Sequence, residues 1–158
     1  MGVTSVELNK TGTLMYPSRV KLPCTWHVGA TGSRFYTELK DNCSIWGTRC
    51  TECDLVYLPP KSTCPRCFSE IKEWVEVGNV GTLLTYTEIH YSLPNIQPVN
   101  PPYYIGIIKV DGASTGLVHL LGEVDKAELR IGIKMQAVFR DEREGNYLDI
   151  KYFRPVKP

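Results

Sequence analysis

The sequence predicts a mainly β protein: an N-terminal arm with a short helix, a rubredoxin-like zinc ribbon, and a five-stranded OB-fold barrel. Two observations carry that expectation. Cys50, Cys53, Cys64 and Cys67 form two Cys-x-x-Cys pairs separated by ten residues, a spacing that brings four thiolates to the corners of a tetrahedron. From Val75 onward the chain breaks into short β-type runs divided by Gly, Pro, Asn and Asp, the texture of a small barrel rather than of a helical domain.

Taken in order, residues 1–30 carry scattered turn formers and no sustained apolar period, and read as an irregular arm. Within it, Cys24 and His27 stand three apart around Trp26. They suggest a Cys/His nucleophile pair, but no orienting carboxylate or oxyanion donor accompanies them, so packing is the preferred reading. Ser33 is the expected N-cap of a short amphipathic helix over residues 34–41, with Phe35 and Leu39 on one face and Tyr36 beside them, a stripe that packs by default on the chain's own domain and otherwise on a partner subunit. Ile45–Thr48 enters the first knuckle and Ile71–Val77 leaves the second, so a metal would staple the entry to the exit.

Four thiolates around zinc carry a formal charge of minus two, and Arg49, Lys61 and Arg66 are the expected compensating cations. Asp54 follows the first pair, where left-handed backbone is common and Asp tolerates it. Phe68 follows the second and suits that conformation poorly, so its backbone is expected to differ. Four cysteines close the coordination shell, which makes the metal architectural. Rubredoxin-like iron takes the same ligands, and paired disulfides also use four cysteines. No basic, apolar leader opens the sequence at Met1–Thr4, which favours a reducing, cytoplasmic setting over disulfides. Cys43 and Cys24 remain outside the set and read as structural thiols.

The barrel strands are expected at 81–91, bent near Gly78 and Gly81, and then at 103–110, 116–121, 134–139 and 147–153. A proline loop at 92–102, a polar excursion at 125–128 and a hairpin loop at 141–146 separate them. Residues 154–158 read as a tail. The resulting division is 1–45 arm and helix, 46–74 ribbon, and 75–158 barrel.

Composition narrows the function. At 158 residues and 42% hydrophobic, the chain can build a packed core without a membrane span. Residues 1–74 hold nine Lys/Arg against seven Asp/Glu, and residues 75–158 hold nine against ten. No basic stripe answers a phosphate backbone. Tyr86, Tyr91, Tyr103 and Tyr104 supply the stacking of a single-stranded nucleic-acid binder, the alternative reading, but not its charge. An independent enzyme using Cys24 or Cys43 is a third. His27, His90 and His119 lie on different segments and make no metal site. His119 sits in an apolar run and reads as a core residue, whereas His90 could face a partner.

The short helix, Trp46-Gly-Thr-Arg-Cys-Thr-Glu-Cys53 leading to Pro59-Pro60, then Cys64-Pro-Arg-Cys67 and a barrel opening on Gly81-Thr-Leu-Leu-Thr-Tyr-Thr87, resemble a known family over residues 33–158. It is similar to the two-domain zinc-ribbon/OB-fold proteins of acyl-CoA metabolism. Overall similarity leans toward the zinc-finger subunit of benzoylsuccinyl-CoA thiolase. The resemblance implies a subunit without catalytic activity of its own, docked on a thiolase-fold enzyme that performs Claisen-type carbon–carbon cleavage or formation. It implies structural zinc and a coenzyme A thioester as ligand of the complex, with no nucleic acid and no membrane. Lys61 and Arg66 are the candidates for CoA phosphates. Phe35, Tyr36, Leu39, Tyr91, Tyr103 and Tyr104 are the candidates for partner docking.

Overall fold

A computed structural model describes residues 25–93 and 97–156; Cys24 and the rest of the arm before Thr25 lie outside the described residues. The helix α1 runs over Gly29–Asn42 and begins well before the expected cap. Ser33 is inside it. The start is made instead by Gly29, at φ 76°, whose N–H donates to His27 Nδ1 at 2.9 Å. This histidine satisfies one of the donors that a helix N-terminus leaves open, so the His27 ring serves a backbone. The helix ends on Cys43, left-handed at φ 50°.

Three antiparallel strands follow, β1 (Ile45–Cys50), β2 (Leu55–Tyr57) and β3 (Glu73–Val77), in the order β2-β1-β3. The chain then enters β4 (Val80–Ile89), β5 (Tyr103–Val110), β6 (Leu117–Leu121), β7 (Lys134–Phe139) and β8 (Ile150–Pro155). These five close into a barrel of order β4-β5-β6-β8-β7. Closure comes from the antiparallel β4–β7 ladder, and β6 meets β8 in parallel at Leu121 and Phe153. This is the OB arrangement. Leu83, Ile108, Val110, Leu117, Met135, Ile150 and Phe153, all essentially inaccessible to solvent, fill it.

Three expectations change in detail. The bulge in β4 falls between Leu83 and Thr85, not at its first glycines. Gly81 is needed there for another reason: a Cβ on it would lie 2.5 Å from the Lys109 carbonyl oxygen of β5. Tyr147–Asp149 is a 3-10 turn, not strand, because Asn146 caps it and Asp149 turns inward. The buried Asp149 carboxylate accepts from the N–H groups of Glu144, Gly145 and Asn146 at 2.8–3.1 Å. Finally, Arg154 and Pro155 are strand, and Val156 N–H donates to the Lys134 carbonyl at 2.9 Å, so the expected tail is largely a barrel edge.

One apolar cluster joins helix, ribbon and barrel. Phe35 and Leu39, 2% and 0% exposed, pack in it with Ile45, Leu58, Val77 and the barrel interior. Both are consumed by the chain's own core, so the docking role expected of them is withdrawn. Burial of two such side chains contributes on the order of 3–6 kcal/mol. Tyr36 remains half-buried at the rim, its ring centroid 5.6 Å from that of Phe35.

Candidate metal centre

Cys50 closes β1, Cys53 sits in the turn into β2, and Cys64 and Cys67 bracket a second turn. The strand pairing β1–β2 therefore brings the first knuckle into place, and β1–β3 ties back the chain that leaves the second. All four Sγ atoms lie within 4.8 Å of one another. The separation Cys50–Cys67 is 3.5 Å and Cys53–Cys64 is 3.9 Å. A tetrahedral four-thiolate zinc with Zn–S near 2.3 Å places its sulfurs about 3.8 Å apart. The described geometry fits it.

The surroundings fit as well. Ser69 Oγ lies 3.0 Å from Cys67 Sγ and 3.4 Å from Cys50 Sγ, and the Tyr57 hydroxyl lies 3.2 Å from Cys64 Sγ. These hydroxyls can donate to thiolates, as outer partners of metal ligands do. The Tyr57 phenol is itself pushed up to about 12, first by that hydrogen bond and then by burial. Burial raises the Cys64 thiol, but the Tyr57 hydroxyl and the N–H groups of Cys67 and Arg66 outweigh it and bring Cys64 down to about 6. Cys53 goes the other way, to about 12, through hydrogen bonding with Cys67 and then desolvation. Without a cation Cys53 and Cys64 are thus driven in opposite directions. A divalent ion removes that conflict.

The flanking cations are arranged differently from the expectation. Arg49 turns away to pair with Asp54 and lies 3.7 Å from Glu73. Lys61 is held by its backbone, donating to and accepting from the Thr48 hydroxyl at 2.8 Å each, with its side chain exposed. Arg66 is exposed in the second knuckle. Both knuckles adopt left-handed backbone after their second cysteine: Asp54 at φ 53° and Phe68 at φ 61°. The expectation of a different backbone at Phe68 is corrected, because the turn requires Phe68 N–H to reach the Cys64 carbonyl at 2.9 Å.

Two features had no local signal in the sequence. The Arg34 guanidinium stands over the Trp74 ring at 4.4 Å and near Trp46 at 5.7 Å, clamping helix to ribbon. The turn before β6 adds Ser114 and Thr115 to the edge of β2. Ser114 N–H donates to the Val56 carbonyl at 2.8 Å, Val56 N–H donates to Ser114 Oγ at 3.0 Å, and the Thr115 hydroxyl both accepts from Leu58 N–H and donates to the Leu58 carbonyl. Ribbon and barrel are thereby one hydrogen-bonded body.

The remaining candidates are dispersed. Tyr86 and Tyr104 pack edge to face with centroids 6.4 Å apart, and the Tyr86 hydroxyl donates to the Leu129 carbonyl. Beside them Glu88 pairs with Lys126 at 2.8 Å and lies 3.5 Å from His90. Tyr103 is half-buried, while Tyr91 is 59% exposed. His119 is buried against Tyr147 and Phe153, and burial holds its pKa below the ordinary value. Cys43 is exposed, alone, at the helix end. Among the described residues no helix is long and apolar enough to cross a membrane.

Comparison with known proteins accords with this geometry. The family model for the ChsH2 rubredoxin-like zinc ribbon domain matches residues 44–73, and that for the ChsH2 C-terminal OB-fold domain matches 74–140. A DUF35 domain-containing scaffold protein of Methanocaldococcus jannaschii is 27% identical over 127 residues, 79% of this chain and 89% of its own. One from Methanothermobacter thermautotrophicus is 22% identical over 112 residues, 70% and 83% respectively. Among solved structures, the Ltp2-ChsH2(DUF35) aldolase matches with TM-score 0.57 and 23% identity, over 78% of this chain and 93% of that one. A DUF35-family protein of unknown function from Sulfolobus solfataricus also gives TM-score 0.57 and 23% identity, over 80% and 84%. With a four-cysteine ribbon followed directly by a closed five-stranded barrel, and both segments matched in that order, the chain belongs to the two-domain zinc-ribbon/OB-fold family.

Proposed function

We propose that this chain is a non-catalytic scaffold subunit that docks on a thiolase-like enzyme and helps form its acyl-CoA binding site or channel. The complex would carry out Claisen-type cleavage or formation of carbon–carbon bonds in acyl-CoA thioesters, in the cytoplasm. The observation that carries this reading is the closed four-thiol shell: all four cysteines serve one metal position, so zinc held there has no ligand site left for substrate. Zinc would hold the ribbon's two turns together. The scaffold names of the curated relatives and the two-component name of the aldolase structure support a companion role.

Within this reading, the helix, the ribbon (46–74) and the described part of the barrel (75–93 and 97–156) form a preassembled platform. Lys61 and Arg66, both exposed near the second knuckle, supply cations for CoA phosphates. Tyr36, Tyr91, Tyr103 and Tyr104 offer contact surface to the enzyme. The test is affinity purification of the tagged chain from its native host, with mass spectrometry and a thiolysis assay on the eluate. Recovery of a thiolase-fold subunit with acyl-CoA activity, absent from the tagged chain alone, is expected. Recovery of the chain alone, or with nucleic acid, would overturn the reading.

A further inference from the structure

The two knuckles provide an internal comparison. Each places a non-glycine residue in left-handed backbone directly after its second cysteine. At the first knuckle that residue is Asp54, a type that tolerates the conformation, and its carboxylate is used by Arg49. At the second it is Phe68, whose bulk makes the conformation a steric outlier. Phe68 is nonetheless 79% exposed, the most exposed of the large apolar side chains among the described residues. The fold therefore bears strain and an unburied ring at one position and gains no packing from either. Such outliers persist where function uses them.

We propose that Phe68 is the anchor of the interface with the catalytic subunit, its ring filling an apolar pocket there beside the mouth of the CoA site. This rests on the scaffold reading above. The position favours that occupant because Arg66, a CoA-phosphate candidate, belongs to the same turn, so an inserted Phe68 would bring the cation to the anionic cofactor. A zinc-held turn also presents the ring with little freedom left to lose, which is what strong interface anchors share. A second copy of this chain is the competing occupant, since Trp26, Val28, Tyr36, Tyr147 and Leu148 line a groove of about 590 Å³. The residues lining that groove include no carboxylate to answer Arg66, whereas an anionic cofactor bound by a different chain does.

The test uses the full zinc-loaded chain and the thiolase-fold subunit identified by the purification above, produced separately and titrated by calorimetry. Phe68→Gly is expected to weaken binding about thirtyfold or more, the scale of an interface hot spot. Its zinc content and melting temperature are expected not to fall, because glycine adopts the left-handed turn without strain. Phe68→Asn, also tolerant of that backbone, serves if the glycine variant fails to hold zinc. Ile131→Ser, at a 64% exposed apolar position on the barrel, should leave binding unchanged. Binding of both Phe68 variants within about twofold of wild type would overturn the anchor while leaving the scaffold reading intact. Failure of the wild-type chain to bind any thiolase-fold subunit would overturn both. Concentration-dependent self-association of wild type, abolished by Phe68→Gly, would assign the ring to a second copy and overturn the proposal.

Discussion

The Thr115 hydroxyl makes a two-way exchange with the backbone of Leu58, accepting from its N–H at 2.8 Å and donating to its carbonyl at 2.9 Å. Leu58 is 1% exposed, so water cannot replace either bond. One side chain from the barrel thus completes the edge of the ribbon sheet.

Thr115→Val keeps the shape and removes both bonds. Leaving buried backbone groups unsatisfied costs about 1–3 kcal/mol, which for a chain of this size lowers the melting temperature by roughly 2–4 °C per kcal/mol. Thr115→Ser should recover most of the loss. Thermal denaturation of the two variants with equal zinc content decides it; an unaltered valine variant would show that the exchange contributes nothing.

Each chain should bind one zinc ion, and Cys64→Ser should abolish tight binding. Structural zinc in isolated ribbons and fingers contributes on the order of 10 kcal/mol at neutral pH, so a chelator should expose the ribbon amides to exchange before those of the barrel. Because ligation requires thiolates, retention should weaken as the pH falls and protons compete for sulfur. Elemental analysis with hydrogen exchange measures both.

His119 should make folding sensitive to acid. Burial lowers its pKa from the ordinary 6.5, so below that value the unfolded chain takes up a proton that the folded chain refuses. The stabilisation is complete above about 6.5 and declines as the pH falls toward the folded pKa. His119→Gln should flatten this part of the stability profile relative to wild type. Urea titrations of both proteins between pH 7.5 and 5.5 would reveal it, and parallel profiles would refute the assignment.

Arg34→Ala should loosen the helix from the ribbon. A guanidinium over an indole at a partly exposed site contributes about 0.5–1 kcal/mol, and its removal should change the fluorescence of Trp74 and Trp46. Arg34→Lys should retain part of the stability but less of the stacking. An unchanged emission spectrum in the alanine variant would indicate that the rings are not in contact with Arg34.

What was legible in the sequence is what depends on short spacing. The Cys-x-x-Cys pairs announce their knuckles because three residues of chain suffice to chelate, and the barrel strands announce themselves through the turn residues between them. The helix start was obscured because its first N–H, that of Gly29, donates to a histidine ring nitrogen and not to a hydroxyl at Ser33. Tyr147–Asp149 carries strand-like residues, but the three N–H groups gathered by Asp149 override that preference. Phe35 and Leu39 were legible as an apolar stripe whose default place is the chain's own core, where both lie, although the same stripe also suits a partner. The link between Thr115 and Leu58 spans 57 residues and has no local signature at all.

The parallel seam between β6 and β8 has a bearing on synthesis. β8 is the last of the five strands to leave the ribosome, and until it arrives β6 and β7 have no common neighbour. The cysteine knuckles emerge much earlier, so metal loading and barrel closure are separated in time along the nascent chain. A ribbon already holding its ion would give the later strands a finished surface on which to assemble, with the final stave of the barrel set in place last.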